Sequence, residues 1–476
     1  MKKEMKVKIF QTVLLAVGLG FLWLNQAPLA YWVAQQREVL LGRYTVEQVT
    51  AQVILTPILL LVLWGIWMGR EKTKEQKKQD AFKTTAVVLS VLAGIVVVDI
   101  AMRIVQRSQY IRTGHSFRRP PNQVRKGTFV DQPVTPFTYP NAPAGYPAHA
   151  YTFTTDSRGF RNVGEVQSCD VVVLGDSFAE GSGVSDEQGW PVLLAGTSGR
   201  QVYNLGMSGT SPAGYLDLLK EYAFPLRPKI VLCMLYEGND FRDSNFRGLD
   251  AEPPRPSLME VIYDASPLRR RIKTFLIQTL SPVGRHRFDL DPAVLADPGH
   301  VMYPVAWLPM EVPAGSGNYY TFDVKRMLAH CLRPEEFEKT TACRSTMEIL
   351  EQLKSLCAEN QARLAVVYAP DKPHLLLEAD KEHLSPPQLR AFMALRKKHL
   401  PPAEQLLETV LPEMETFEIV MKQFCDEQEI PFVSLTQILR EKMLEGTRAY
   451  FTYDQHWSPE GHQVVADYLA KTLTLE

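Results

Sequence analysis

The sequence predicts an α/β protein: a flavodoxin-like, three-layer α/β/α domain with a parallel sheet, preceded by three transmembrane helices. From about residue 151 to the end, short apolar runs alternate with segments of helical pattern. This alternation is typical of a parallel sheet with helices on both faces. The first hundred residues contain three long apolar runs instead. We therefore expect two regions of different character.

The apolar runs lie at about residues 9–24, 51–69 and 84–102. Each is long and nearly free of charge, whereas a helix in the core of a soluble protein keeps a polar face. Residues 1–105 are therefore interpreted as a membrane region with three transmembrane helices. A cleaved signal peptide is the alternative for the first run.

Basic residues indicate the orientation of this region. The loop between the first two runs offers only Arg37 and Arg43, whereas the next loop holds six basic residues: Arg70, Lys72, Lys74, Lys77, Lys78 and Lys83. Cytoplasmic loops carry the excess of Lys and Arg. We expect a multi-pass protein of the inner or plasma membrane, in contact with the lipid bilayer, whose remaining chain lies on the periplasmic or extracellular side.

Proline content and pattern divide the rest of the chain. Residues 106–150 are rich in proline and are interpreted as a linker. Residues 151–476 form the predicted α/β domain, with insertions at about 241–345 and 371–412. Because loops on a catalytic edge often carry specificity, the insertions are expected to build a lid or a glycan-binding wall in which Trp307, Tyr319 and Tyr320 stack on sugars.

Composition and cysteine content exclude some classes of protein. A formal net charge of -1 argues against a nucleic-acid binder. All six cysteines lie in the region predicted to be external, where disulfides persist, and Cys331 and Cys343 are close enough in sequence to close a local loop. Cys233 lies in an apolar run and is expected to be a buried thiol. The cysteine spacings do not resemble a zinc site, and no metal or organic cofactor is implied.

The central stretch is VVVLGDSFAEG, from Val171 to Gly181. Its apolar residues predict a buried strand, and Gly175 permits a sharp turn after it. Ser177 then lies at the carboxyl end of a parallel strand, where open α/β sheets hold their reacting groups.

Polar residues at three other places complete a candidate site. Gly206 and Asn239 each follow a different predicted strand, so both are expected at the same edge as Ser177. Asp454 and His456 lie in a loop before a helix that starts near Pro459. This set supplies a nucleophile, a base, a residue to orient the base and amide donors for an oxyanion.

Four short blocks resemble those of the SGNH, or GDSL, hydrolase superfamily, in the family's order. They are GDSF at Gly175, NLG ending at Gly206, GND at Gly238 and DQHW at Asp454. The resemblance covers about residues 151–476. It implies that Ser177 is the nucleophile, with its own backbone N–H in the oxyanion hole. It also implies that Gly206 contributes a second N–H, Asn239 its side-chain amide, and His456 the general base.

One departure concerns the acid. Most family members separate the acid and the histidine by two residues, whereas only Gln455 separates Asp454 from His456. Alginate O-acetyltransferases and related envelope proteins of the superfamily have a similar D-x-H-W pattern, and YEGNDFRD and DSRGFRN are similar to that branch as well. Asp454 is the expected orienting acid, with a turn-forming role as the alternative.

Three nearby residues receive structural interpretations. Asp176 and Asp240 adjoin catalytic positions and are expected to bond to their local turns. His462 falls inside the last helix and is expected to be a surface or packing residue.

The functional prediction is a membrane-anchored, externally facing serine esterase or O-acyltransferase that uses a Ser–His–Asp mechanism. Its expected substrates are acyl esters, acetyl above all, of cell-envelope polysaccharide. The related systems imply a membrane-bound O-acyltransferase as a partner. The alternatives are a lipid or peptidoglycan esterase and a non-catalytic glycan-binding scaffold.

Overall fold

A computed structural model describes most of the C-terminal region and parts of the N-terminal one. The described residues are 2–23, 56–57, 59–60, 62–63, 73–107, 111–113, 116–131, 143–241, 307–394, 397 and 399–473.

Strands are numbered here in chain order. They are β1 (Ile111–Thr113), β2 (Ser116–Arg118), β3 (Val124–Phe129), β4 (His149–Thr154), β5 (Val171–Leu174), β6 (Val202–Asn204), β7 (Ile230–Tyr236), β8 (Trp307–Glu311), β9 (Tyr319–Asp323), β10 (Arg363–Ala369) and β11 (Phe432–Ser434).

The α-helices are numbered in the same way. They are α1 (Lys2–Trp23), α2 (Lys74–Arg107), α3 (Ser177–Glu180), α4 (Trp190–Ser198), α5 (Pro212–Leu218), α6 (Val324–His330), α7 (Pro334–Phe337), α8 (Thr341–Glu359), α9 (Lys372–Ala379), α10 (Pro386–Ala394), α11 (Ala403–Met414), α12 (Thr416–Glu427), α13 (Thr436–Leu444) and α14 (Pro459–Thr472).

The central sheet has five strands in the spatial order β11-β10-β7-β5-β6. Every neighbouring pair is parallel. Read from the other edge, the strands follow one another as second, first, third, fourth and fifth, which is the flavodoxin-like order. The predicted parallel α/β fold is therefore confirmed.

Side chains of β5 alternate between two hydrophobic cores, one on each face of the sheet. Val171 and Val173 pack in the core that contains residues of α4, α13 and α14. Val172 and Leu174 pack in the core formed with α5, α8 and α12. Because consecutive strand residues point to opposite faces, an uninterrupted apolar run fits a strand covered on both sides.

Part of the predicted linker is folded. β1 pairs with β2, and β3 pairs with β4 along six residues. The Arg119 guanidinium also binds both carboxylate oxygens of Glu180, at 2.6 and 2.8 Å, directly after the serine turn. The interpretation of 106–150 as a linker is therefore wrong for its described strands, because β3 pairs with β4 along its whole length despite the prolines nearby.

The N-terminal helices α1 and α2 overlap the first and third apolar runs. Within the described residues, no helix combines the length and the apolar character needed to cross a membrane. The three predicted transmembrane helices thus lack support from the structure, and most of 51–69 lies outside the described residues.

The two predicted insertions differ in how far they are described. The second is helical, as expected, and contains α9, α10 and most of α11. Residues 242–306 of the first lie outside the described residues. Its later part forms the β8–β9 hairpin, in which Tyr320 is fully buried. Stacking of Tyr320 on a sugar is therefore ruled out, because its ring belongs to the core.

All six cysteines are buried free thiols. Cys331 and Cys343 therefore do not close the local loop that their spacing would allow, because Cys331 packs in one core and Cys343 in the other. Cys233 is the buried thiol that its apolar run predicts, and burial raises its pKa well above the usual value.

Candidate active site

Ser177 is the first residue of α3, directly beyond the carboxyl end of β5. The carboxylate of Asp176 caps this helix, since its Oδ1 accepts the backbone N–H of Phe178 at 2.9 Å. The local role expected for Asp176 is therefore confirmed. As the first helical residue, Ser177 has a backbone N–H with no acceptor within its own helix.

Two glycines allow the backbone to close tightly around the serine turn. A Cβ at Gly175 would lie 2.7 Å from the Cβ of Ala179, and one at Gly206 would lie 2.5 Å from the backbone nitrogen of Glu180. Any larger residue would push β6 away from α3. These glycines therefore set the spacing between the serine helix and the neighbouring strand.

The loop before α14 brings the predicted base and acid to the serine. The Nε2 atom of His456 lies 2.7 Å from Ser177 Oγ. Its Nδ1 atom lies 2.5 Å from Asp454 Oδ1, which also accepts the His456 backbone N–H at 2.9 Å. A single intervening residue is therefore enough for the acid to reach the ring. The three side chains form a Ser–His–Asp triad.

Electrostatics favour an ionised acid. Burial raises the pKa of Asp454, but the charge of His456 and the hydrogen bonds from its ring and backbone outweigh burial. The pKa of Asp454 is consequently well below its usual value. An ionised carboxylate holds the proton of His456 on Nδ1 and leaves Nε2 free to accept from serine.

Asn239 lies beside the serine turn, as expected. Its Nδ2 donates to Asp176 Oδ2 at 2.9 Å, and the same oxygen is 3.5 Å from Ser177 Oγ. A primary amide has two N–H donors, so one donor remains for an oxyanion near Ser177.

The backbone N–H of Gly206, expected to be free for an oxyanion, already has an acceptor. Its backbone N–H donates to Asn204 Oδ1 at 2.8 Å. Asn204 is in turn bonded through its backbone to the side chain of Asn162, at 2.9 and 3.0 Å. The role of Gly206 as an oxyanion donor stays a prediction, since it requires this N–H to leave Asn204.

The DSRGFRN segment, expected only as a family resemblance, supports the serine turn. Arg161 is buried, and its guanidinium donates to the carbonyl oxygens of Glu180, Gly181 and Val184 and to Asp186. These carbonyl groups belong to the last residue of α3 and to the turn that follows it. The segment therefore acts on the site through the backbone around Ser177.

The other two structural interpretations also agree with the structure. Asp240 accepts the backbone N–H of Tyr236 at 2.8 Å and the hydroxyl of Tyr215 at 2.9 Å. His462 is buried, and its Nδ1 accepts the backbone N–H of Trp190 at 3.2 Å. Burial lowers the pKa of His462 to about 3, so this ring is a neutral packing residue.

Sequence analysis missed two buried charged residues that contact the triad loop, Asp131 and Lys372. Lys372 follows the carboxyl end of β10 closely, and the rule that identified Gly206 and Asn239 would have found it. Asp131 had no such signal, because it lies in the segment interpreted as a linker.

A buried charge cluster lies next to the site, around Glu237 and His374. The Nδ1 atom of His374 is 3.1 Å from Glu237 Oε1, and its Nε2 atom is 3.0 Å from Glu415 Oε2. Among the described residues, His374, Glu415 and Glu418 have the spacing of metal ligands. Arg440 also binds Glu415, at 3.1 Å, so these carboxylates already face two cationic side chains.

The four sequence blocks thus meet at the carboxyl edge of one parallel sheet. Ser177 follows β5, Gly206 follows β6, and Asn239 follows β7, while Asp454 and His456 complete the site from the loop before α14. This is the arrangement that the SGNH resemblance predicts.

The chain is similar to some known structures at low sequence identity, but not to known proteins by sequence. No protein-family profile matches the chain, and no curated protein matches it by sequence. Among solved structures, it is similar to a putative lipolytic protein of the G-D-S-L family from Desulfitobacterium hafniense, with 11% identity, a TM-score of 0.30 and coverage of 64% of this chain and 98% of that one.

Two further similar structures are esterases. A carbohydrate acetylesterase from Sinorhizobium meliloti has 12% identity and a TM-score of 0.28, covering 63% of this chain and 96% of that one. An aryl esterase from M. smegmatis has 12% identity and a TM-score of 0.29, with the same two coverages.

Proposed function

We propose that the protein is a serine esterase or O-acyltransferase of the SGNH type that acts on acyl esters, acetyl above all, of cell-envelope polysaccharide. The observation that carries this proposal is the continuous line of contacts from Ser177 Oγ to His456 Nε2 at 2.7 Å and from His456 Nδ1 to Asp454 Oδ1 at 2.5 Å. This geometry suits removal of the serine proton during attack on an ester carbonyl.

Acylation follows from these contacts. Ser177 Oγ bonds to the acyl carbon while its proton moves to His456 Nε2, and the carbonyl oxygen becomes an oxyanion. The oxyanion then collapses and breaks the bond to the alcohol. The protonated His456 gives its proton to the leaving oxygen, and an acyl-serine remains.

The charge on the oxyanion requires donors that are already in place. The backbone N–H of Ser177 and the second N–H of the Asn239 amide supply two. Such a donor contributes about 3 to 4 kcal/mol to transition-state stabilisation in comparable sites. Asp176 supports this assignment, because its contact with Asn239 Nδ2 fixes the amide with its nitrogen toward the serine.

Deacylation is the reverse chemistry with a second hydroxyl. Water gives an esterase, and a sugar hydroxyl gives an O-acyltransferase. In both cases His456 takes the proton of the incoming oxygen and returns it to Ser177 as the acyl–serine bond breaks.

Envelope polysaccharide is proposed from the sequence. The D-x-H-W pattern at Asp454 is similar to the alginate O-acetyltransferase branch, and the apolar runs at about 9–24, 51–69 and 84–102 support membrane anchoring with the catalytic region outside. A membrane-bound O-acyltransferase that hands acyl groups across the bilayer is the proposed partner.

The test compares the full-length protein with Ser177→Ala and with Ser198→Ala. Ser198 is a matched control, since its hydroxyl makes local contacts at the end of α4, donating to Leu194 O and accepting from the Arg200 N–H. With p-nitrophenyl acetate, we expect release of p-nitrophenol by the wild type and Ser198→Ala and none above background from Ser177→Ala. Adding acetylated and unacetylated oligosaccharides then separates hydrolysis from transfer.

Two results would contradict the proposal. Folded wild type and Ser177→Ala proteins with equal, background activity toward acetylated oligosaccharide would favour a non-catalytic scaffold. Turnover confined to long-chain acyl esters would favour a lipid esterase.

A further inference from the structure

The loop that carries the catalytic acid is held by buried side chains from two distant parts of the chain. Residues 452–454 immediately precede the Asp454–His456 contact. Their backbone groups bond on one side to Asp131 and on the other to Lys372. Neither side chain is part of the triad.

On the amide side, the carboxylate of Asp131 accepts three consecutive backbone N–H groups. Oδ2 accepts from Thr452 at 2.7 Å, and Oδ1 accepts from Tyr453 at 3.0 Å and Asp454 at 2.9 Å. Oδ2 also accepts the backbone N–H of Tyr146 at 2.8 Å. Successive N–H groups that converge on an anion form a rigid concave site, and here the anion is part of the protein.

On the carbonyl side, the ammonium group of Lys372 donates to three oxygens. They are Asp454 O at 2.7 Å, Thr452 O at 2.9 Å and Thr321 O at 3.3 Å. Lys372 is only 2% exposed. An ammonium group has three donors, and all three are used.

The two contacts act on the same peptide units. Thr452 and Asp454 each give an N–H to the anion and a C=O to the cation, so each residue is fixed from both sides. Charge-assisted hydrogen bonds are shorter and stronger than neutral ones.

We propose that Asp131 and Lys372 are positioning residues that hold Asp454, and through it His456, in the orientation needed for proton transfer from Ser177. This inference rests on the proposed serine mechanism. Asp131 and Lys372 together form a clamp on the Asp454 backbone. Only Gln455 separates Asp454 from His456, so little freedom remains between the clamp and the base. A displacement of about 1 Å at a reacting group lowers rates by about 10²-fold.

The pKa of Lys372 is consistent with a working donor. Burial lowers it to about 7, against the attraction of Asp131, Asp454 and Asp371 and with the repulsion of Arg326. Below that pH the ammonium group keeps all three donors.

The test uses Asp131→Asn and Lys372→Met in the full-length protein. Asn has nearly the same shape as Asp but presents N–H donors to Thr452 N–H and Tyr146 N–H, whereas Met keeps the length of lysine without its donors. Matched controls are Asp170→Asn, which changes a carboxylate bonded to the backbone of Gln201 at the end of β5 away from Ser177, and Lys354→Met, which removes a lysine bonded to Gln428 O.

Stopped-flow acylation with p-nitrophenyl acetate gives the acylation rate constant and the apparent dissociation constant separately. We expect the two clamp variants to lose about 10²-fold in the rate constant with a nearly unchanged dissociation constant. The controls should change thermal stability alone. Folded clamp variants with rate constants like those of the controls would overturn the proposal.

Hydrogen exchange provides a measurement that needs no variant. The amides of Thr452, Tyr453 and Asp454 should exchange as slowly as those of β5, and fast exchange would overturn the clamp.

The positioning role and the serine mechanism can be rejected separately. Equal activity of wild type and Ser177→Ala would reject the serine mechanism, whereas an active wild type with fully active clamp variants would reject the positioning role alone.

Discussion

The Nε2 atom of His456 lies 2.7 Å from the hydroxyl oxygen of Ser177, although 279 positions separate the two residues in sequence. The serine follows β5 near the centre of the sheet, and the histidine arrives on the loop before α14. The helix α14 packs against α4 on one face of the sheet, which fixes where that loop begins and ends.

Asp454→Asn should abolish most of the activity while the fold persists. The amide cannot act as an anion beside His456 Nδ1, and it favours the wrong ring tautomer. We expect a fall of about 10⁴-fold in kcat, as for the corresponding change in a serine protease. Steady-state kinetics with p-nitrophenyl acetate measures it, and a turn-forming role for Asp454 would be indicated by a loss below about tenfold.

Asn239→Ala should remove one oxyanion donor. The expected loss in kcat is about 10² to 10³-fold, with a smaller change in KM, because the donor acts on the charge that develops in the transition state. Asn318→Ala is a suitable control, since the Asn318 amide bonds to Gly446 O at the surface. Equal kinetics for the two variants would exclude Asn239 from the oxyanion hole.

Gly206→Ala should destabilise the protein and disturb the serine turn. The added Cβ would lie 2.5 Å from the backbone nitrogen of Glu180, so β6 and α3 must separate. We expect a loss of about 1 to 3 kcal/mol in the free energy of unfolding, measured by urea denaturation.

Gly196→Ala is the same substitution at a position where a Cβ has room, so we expect the opposite effect on stability. Gly196 lies inside α4 and has nothing within 4 Å of its Cβ position. Alanine should stabilise this helix by about 0.5 to 1 kcal/mol. If Gly206→Ala were equally stabilising, the close approach described above would be incorrect.

His374→Gln should change how stability depends on pH. Burial alone would lower the pKa of His374. The charges and hydrogen bonds of Glu237 and Glu415 have the larger, opposite effect and raise the pKa to about 10. Between about pH 6.5 and 10 the folded protein therefore holds a proton that the unfolded chain releases. This contribution to stability is fully present below about pH 6.5 and is lost as the pH rises through about 10.

The measurement is the difference in free energy of unfolding between wild type and His374→Gln across pH 6 to 10. At pH 6, loss of the buried pair should cost about 3 to 5 kcal/mol. The difference should shrink toward pH 10. A difference that is constant with pH would show that the ion pair contributes nothing to the proton linkage.

Much of the fold was predictable because its strands are short, apolar and buried on both faces. The continuous apolar runs of β5, VVVL at Val171, and of β7 predict strands that are covered on both faces of a sheet. The helix from Pro459 was also predictable, since proline suits a first helical turn and Ser458 caps it. The placement of Ser177 and Asn239 followed from the rule that parallel strands end at one edge of the sheet, whereas Asp454 and His456 were identified through the family resemblance.

The remaining features depend on contacts between distant residues. Proline content marked 106–150 as a linker, yet β3 finds its partner in β4, a pairing that no local pattern encodes. Cys331 and Cys343 are close in sequence, but opposite faces of the sheet separate them. No sequence pattern marked Asp131, because its role depends on backbone amides of residues 452–454, which are distant in sequence.

The folded strands before residue 151 also set a limit on how the protein can be divided. A fragment that begins at residue 151 would carry every one of the four sequence blocks. It would nevertheless lack β3, Arg119 and Asp131, which bond to β4, to Glu180 and to the loop of the catalytic acid. The smallest unit that keeps these contacts therefore starts no later than Arg119.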